Sequence, residues 1–176
     1  MIDVGDVLVV RGTDWAGRLI RLGAALRDEP NLDNHVAIVH HRDANGTWWV
    51  VEGKPGGVGW ADAHHYLTSP YTTNNVKQPK TPAQRDQVAT VAKGMLGTPY
   101  DWSGIVADAM ASVGVQDLWA QNWNGQGPPG HVVCSSLAAW IYLKAGLDVP
   151  TVHEPRFTTP ADWEQFVLQR GFAGTD

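Results

Sequence analysis

The only cysteine among the 176 residues, Cys134, lies in the stretch GHVVCSSLAAW, where two serines and an apolar run with helical spacing follow it. A cysteine at the start of a helix is close to unpaired backbone N–H groups and to the positive end of the helix dipole. Both favour the thiolate, which is the nucleophilic form. A buried structural cysteine is the alternative, because a free cysteine also packs as a small hydrophobic residue.

A thiolate nucleophile needs a general base, normally a histidine that a third polar group orients. The sequence has seven histidines: His35, His40, His41, His64, His65, His131 and His153. His35 opens a predicted strand directly after the turn-rich segment NLDN, where a rigid sheet can hold an imidazole against the end of a helix. A surface histidine at a strand edge is the alternative for this residue.

The paired histidines are weaker candidates. His40 and His41 are neighbours in a predicted strand, so we expect their side chains to point to opposite faces and to share no role. His64 and His65 lie next to loop residues and are expected at the surface. Because no third and fourth ligand follows at a recognisable spacing, the sequence predicts no metal site and no cofactor.

Composition narrows the class of protein. Hydrophobic residues make up 43% and charged residues 18% of the chain, a balance typical of a globular protein. The net charge of -5 and the lack of a basic stripe argue against nucleic-acid binding. Apolar runs are too short for a transmembrane segment. No signal peptide is recognised, so we expect a cytoplasmic protein or one released by another route.

Strands and helices occur in separate runs, which predicts an α+β fold for one domain over residues 1–176 and a monomer. Strands are expected at Val7–Val10, at HVAIVHH and TWWVVEG around the hairpin signal Asn45-Gly46, and at GVGW. Helices are expected at about 15–26, in TPAQRDQVATVAKGMLG, at about 103–113, from about Ser135 to Gly146, and at Thr159-Pro160.

Three segments together resemble the NlpC-like branch of the papain-like cysteine peptidases: HVAIVHHRDANGTWWVVEG, GTPYDW and VCSSL. The histidine strand precedes the cysteine, an order similar to that of the circularly permuted YiiX-like and YaeF-like hydrolases, which are related to the lecithin:retinol acyltransferase group. The resemblance covers most of the chain from Gly5 to about Leu143. It implies a permuted papain-like (NlpC-type) fold, in which a small antiparallel sheet packs against helices and one helix starts with the catalytic cysteine.

The resemblance also implies roles for four residues. Cys134 is the implied nucleophile, His35 the implied base and Glu52 the third polar residue of a Cys-His-Glu triad. Tyr100 matches a tyrosine that lines the oxyanion or substrate side. Ser135 lies in the first turn of the cysteine helix, where backbone N–H groups would stabilise the oxyanion.

The distance between Glu52 and His35 depends on the hairpin that joins their strands. A tight two-residue turn at Asn45-Gly46 would place Glu52 opposite Val39, four residues along the strand from His35 and about 13 Å away at ~3.3 Å per residue. A bulge or a longer loop would shorten this distance. Otherwise Asn34, Asp33 or a backbone carbonyl orients the ring.

We therefore expect a cysteine peptidase or amidase-type hydrolase that cleaves an amide bond in a cell-wall-type or other short peptide. Two alternatives stay open: an acyltransferase or esterase acting on a lipid or small acyl substrate, and a catalytically silent binding module of the same fold. The candidate pocket walls are Trp102, Trp123 and Trp140.

Overall fold

A five-stranded antiparallel sheet forms the centre of the fold in the computed structural model of this protein. The structure describes residues 2–11, 35–68, 72–76, 78, 80–101, 130, 132–150 and 158–170. The strands are β1 (Val7–Arg11), β2 (His35–Arg42), β3 (Trp48–Lys54), β4 (Gly57–Asp62) and β5 (Thr72–Val76). Their order across the sheet is β4-β3-β2-β1-β5. The four strands expected from the sequence are present, and β5 was not predicted.

The described residues also form helices, so the expected α+β class is confirmed. The helices are α1 (His64–Leu67), α2 (Pro82–Gly94), α3 (Cys134–Lys144) and α4 (Pro160–Arg170). At the start of α2, Thr81 and Gln84 form the expected capping box, with Pro82 in the first turn. The helices predicted at about 15–26 and 103–113 lie outside the described residues. Within the described residues, no helix is long and apolar enough to cross a membrane.

The two faces of the sheet bury different sets of side chains, because successive residues of a strand point to opposite faces. Val7, Val9, Val36, Ile38 and Val51 join the larger core, which also contains most of the buried residues of α3. The opposite face holds a smaller cluster with the following members: Leu8, Val10, Ala37, Val39, Val50, Ala63 and Tyr66. The cysteine helix therefore packs on one face of the sheet, with its first turn near the strand ends.

Two buried contacts join the N-terminal turn to the helical layer. The hydroxyl of Tyr142, on α3, donates to the backbone carbonyl of Gly5. The ammonium of Lys80 lies 3.3 Å from Oδ1 of Asp6, and both side chains are almost fully buried. Since a buried charge is tolerated only when it is paired, these contacts fix the start of α2 and the middle of α3 against β1.

Candidate active site

The thiol of Cys134 lies at the first residue of α3, and this helix begins without a side-chain cap. The preceding residue, Val133, is extended and has no side-chain oxygen to accept the N–H groups of the first turn. By contrast, Thr81 caps α2 and Thr159 accepts from the first turn of α4. No capping side chain therefore accepts a hydrogen bond from the first-turn N–H groups of α3, which leaves these groups suited to a negatively charged oxygen.

The backbone of β3 touches the start of α3 at Gly53. A β-carbon at Gly53 would lie 3.3 Å from the backbone nitrogen of Cys134 and 3.4 Å from its Cα. On the other side, Val132 forms a bridge with Tyr100, in which the Val132 N–H donates to Pro99 and the Val132 carbonyl accepts from Asp101. The cysteine is thus held between the end of β3 and residues 99–101.

The imidazole of His35 contacts Glu52 and lies near Cys134. His35 is the first residue of β2, and its side chain is 20% exposed. Its Nε2 lies 2.6 Å from Oε2 of Glu52, and the ring is close enough to the side chain of Cys134 for that side chain to raise the pKa of His35. Because Glu52 occupies Nε2, Nδ1 is the nitrogen available to the thiol.

The register of the hairpin brings Glu52 within reach of His35. The loop has three residues, 44–46, and not two: the Asp43 N–H donates to Thr47 O over 2.9 Å, and Gly46 has a φ of +88°. The three-residue loop shifts the pairing of β2 with β3 by one residue, and a bulge between Val39 and His41 shifts the pairing by one more.

Glu52 consequently pairs with Ala37 instead of Val39, which the tight turn would have placed opposite it. Since Ala37 is two residues from His35, the carboxylate and the imidazole are diagonal neighbours on one face of the sheet. A longer loop and a bulge, either of which could shorten the distance between Glu52 and His35, are therefore both present.

Three donors surround the carboxylate of Glu52, which is only 2% exposed. The hydroxyl of Tyr66, on α1, donates to Oε2, the same oxygen that His35 contacts. The ammonium of Lys54 donates to Oε1 over 3.0 Å. The carboxylate is not at the surface, where a strand-terminal glutamate would ordinarily lie, and protein donors replace its hydration.

These contacts set the charges of the pair. Burial by itself would lower the pKa of His35, but the interactions of the ring with Cys134 and Glu52, including the negative charges of both groups, raise the pKa to about 10. Burial would raise the pKa of Glu52, yet the hydrogen bond and charge of His35, with the bonds from Tyr66 and Lys54, lower the pKa to about 2. At neutral pH the pair is an imidazolium and a carboxylate.

Tyr100 and Ser135 are the other two predicted site residues. Burial, together with the negative charges of Cys134, Asp101 and Glu52, raises the pKa of Tyr100, so its phenol stays protonated close to the thiol. The side chain of Ser135 is buried, and its carbonyl accepts a hydrogen bond from the indole of Trp163.

Trp140 is 3% exposed and packs in the larger core, and its role as a pocket wall stays a prediction. The other two tryptophans, Trp102 and Trp123, lie outside the described residues, as do the alternative orienting residues Asp33 and Asn34.

The expectation that His40 and His41 point to opposite faces was also wrong. The bulge in β2 interrupts the alternation, and the two Nδ1 atoms lie 3.0 Å apart, with both rings edge-on to Trp60. Nε2 of His40 donates to the carbonyl of Ala89 on α2, which fixes the ring. In the described part of the chain, no group of three or more His, Cys, Asp or Glu side chains is arranged to hold a metal ion.

Sequence reasoning missed several residues that build the site. Lys54 could have been found, because it lies two residues after Glu52 and so on the same face of β3. Val133 also carried a signal, since a valine is a poor helix cap. The contact of Tyr66 with Glu52 had no local signal, because it depends on how α1 packs on the sheet.

The fold is α+β and YiiX-like. The chain is similar to the crystal structure of the metalloprotein YiiX from Escherichia coli O157:H7, with a TM-score of 0.54 and 17% sequence identity over 96% of this chain and 82% of that chain. At this identity the likeness concerns the fold. No protein-family model matches the chain, and no curated protein matches it.

Proposed function

We propose that this protein is a cysteine hydrolase in which Cys134 is the nucleophile, His35 the general acid and base, and Glu52 the orienting carboxylate. One observation carries the proposal: the ring of His35 is hydrogen-bonded to a buried carboxylate and lies close enough to the side chain of a helix-initial cysteine for that side chain to raise the pKa of the ring. A nucleophile, a base and an orienting group in this relation are what thiol catalysis requires. The YiiX-like fold is consistent with a hydrolase but does not specify one.

The first half of the proposed reaction forms an acyl-enzyme. The thiolate of Cys134 attacks the carbonyl carbon of an amide, and the resulting oxyanion accepts hydrogen bonds from first-turn N–H groups at Cys134 and Ser135. Nδ1 of the His35 imidazolium then gives its proton to the leaving nitrogen as the C–N bond breaks. The amine departs, and the acyl group stays on sulfur as a thioester.

The second half restores the enzyme. Neutral His35 takes a proton from water, the hydroxide attacks the thioester, and the carboxylic acid leaves as the C–S bond breaks. Throughout, Glu52 keeps Nε2 of His35 protonated, so that Nδ1 alone exchanges the proton. Tyr100, a protonated phenol near the thiol, can donate a hydrogen bond to the substrate. We propose a short peptide amide of the cell-wall type as the substrate to test first.

Thiol labelling tests the nucleophile without a known substrate. Iodoacetamide should alkylate Cys134 rapidly at pH 6, where only ~0.3% of an ordinary thiol with a pKa of ~8.5 is ionised. His35→Gln should abolish most of this labelling at pH 6, since the thiolate loses its counter-ion. Labelling that becomes fast only above about pH 8 in the wild type would contradict the proposal and favour a silent binding module.

A substrate panel tests the reaction. The wild type, Cys134→Ala and Cys134→Ser would be compared on cell-wall-type peptides and on acyl esters. We expect turnover on amides in the wild type and none in either variant, because the imidazole ionises a serine hydroxyl far less readily than a thiol. Turnover on esters alone would replace the amidase with an esterase or acyltransferase, and turnover in Cys134→Ala would refute the nucleophile.

A further inference from the structure

The carboxylate of Glu52 has more donors than the orientation of His35 requires. His35 and Tyr66 share Oε2, whereas among the described residues only Lys54 contacts Oε1. Tyr66 is 9% exposed, so its hydroxyl is committed to the interior. The side chain of Lys54 is 44% exposed, and a lysine with that much access to water is not obliged to turn its ammonium inward. The ammonium of Lys54 nevertheless points inward to Glu52.

A second contact fixes the ammonium of Lys54. Its Nζ donates to the backbone carbonyl of Trp60, on the neighbouring strand β4, over 3.1 Å. The stem of the lysine lies over Gly59, where its Cε would be 3.7 Å from an added β-carbon. Two acceptors hold the charge in one place, which a mobile surface ion pair does not achieve.

Lys54 adds positive charge to a proposed site that is rich in negative charge. The thiolate of Cys134 and the carboxylate of Glu52 carry two negative charges, and the imidazolium of His35 carries one positive charge. The carboxylate of Asp101, whose charge also acts on Tyr100, adds a further negative charge nearby. The ammonium of Lys54 supplies the second positive charge. Without Lys54 the excess of negative charge in this largely buried position would grow by one, and uptake of a proton would be the least costly correction.

We infer that Lys54 is a positioning residue for the proposed reaction: held by Glu52 and the Trp60 carbonyl, its ammonium keeps the carboxylate ionised and turned toward His35, and so extends the thiolate–imidazolium pair to lower pH. The inference rests on the proposed function of Cys134. Lys54 acts through Glu52, and Tyr66 assists it by holding the other carboxylate oxygen.

The test is the pH profile of iodoacetamide labelling in Lys54→Met and Lys54→Arg. Methionine keeps the unbranched stem and removes the charge, whereas arginine keeps the charge. As a general magnitude, a unit charge about 6 Å from a titrating group, at a dielectric constant between ~40 and ~80, shifts the titration of that group by about half to one pH unit. We expect the midpoint on the acid side to rise by about half a unit in Lys54→Met, since the residue is partly exposed, and to return toward the wild-type value in Lys54→Arg.

Lys93→Met is the matched control. The charge of Lys93 acts on His40, which lies five residues along β2 from His35, about 17 Å away at ~3.3 Å per residue. This variant should label like the wild type. An unchanged midpoint in Lys54→Met, or an Arg variant that behaves like the Met variant, would overturn the inference while the proposed function stands. A wild type that is not labelled below neutral pH would overturn the proposed function as well.

Discussion

Replacing Glu52 by glutamine removes one negative charge beside His35 and keeps the size and shape of the side chain. The pKa of His35 is raised from 6.5 to about 10, a rise of about 3.5 units that corresponds to roughly 5 kcal/mol in favour of the imidazolium. Interactions with Cys134 and Glu52 share this effect, and the interaction with Cys134 is the largest favourable contribution. We therefore expect Glu52→Gln to lower the pKa of His35 by about one to two units.

NMR titration of the histidine rings measures this shift directly, with His35→Gln to assign the resonance among the seven histidines. Glu164→Gln, on α4, is a matched control that removes a carboxylate elsewhere and should leave the His35 titration unchanged. We also expect turnover of Glu52→Gln to fall more than substrate affinity, because the imidazolium is needed in the reaction and not for binding.

An unchanged pKa of His35 in Glu52→Gln, with unchanged labelling of Cys134, would refute the reasoning. The contact of 2.6 Å between Nε2 and Oε2 would then be structural only. The orienting group would have to be sought among the residues before β2, beginning with Asp33 and Asn34.

Three further predictions concern packing and pH. Gly53→Ala places a methyl group 3.3 Å from the backbone nitrogen of Cys134. We therefore expect slower labelling of Cys134 and a loss of about 1–2 kcal/mol in the free energy of unfolding. Wild-type values for both measurements would show that the close approach of Gly53 to Cys134 is not required. Tyr142→Phe removes a buried hydrogen bond to a backbone carbonyl and should cost about 1–3 kcal/mol in urea unfolding, with labelling unchanged. The raised pKa of His35 stabilises the folded protein fully below about pH 6.5, and this stabilisation is lost as the pH rises through about 10. The lowered pKa of Glu52 stabilises the folded protein fully above about pH 4.5, and this stabilisation is lost as the pH falls through about 2. Unfolding at a series of pH values should therefore show a maximum between these limits, and a flat profile would contradict it.

The sequence by itself was sufficient for features that depend on neighbouring residues. Apolar runs predicted β1 to β4, and the Thr81-Pro82-Gln84 pattern predicted the start of α2, because capping and strand formation are decided over a few residues. The positions of His35 and Cys134 at the first residues of their elements were also predicted, within one residue for the helix. These are local properties, so the chain encodes them locally.

The tertiary structure decided the register and therefore the site. Whether Glu52 lies opposite Val39 or Ala37 depends on a three-residue loop and a bulge, each of which shifts the pairing by one residue. The same bulge turns His40 to the side of His41, against the alternation that a regular strand predicts.

The contact of Tyr66 with Glu52 also arose from the tertiary structure, since it joins α1 to β3, two elements that are separate in the chain. The register of the strands and the contacts between elements depend on the buried area and the satisfied hydrogen bonds of the whole sheet. No short stretch of sequence contributes enough to this total to decide which register forms.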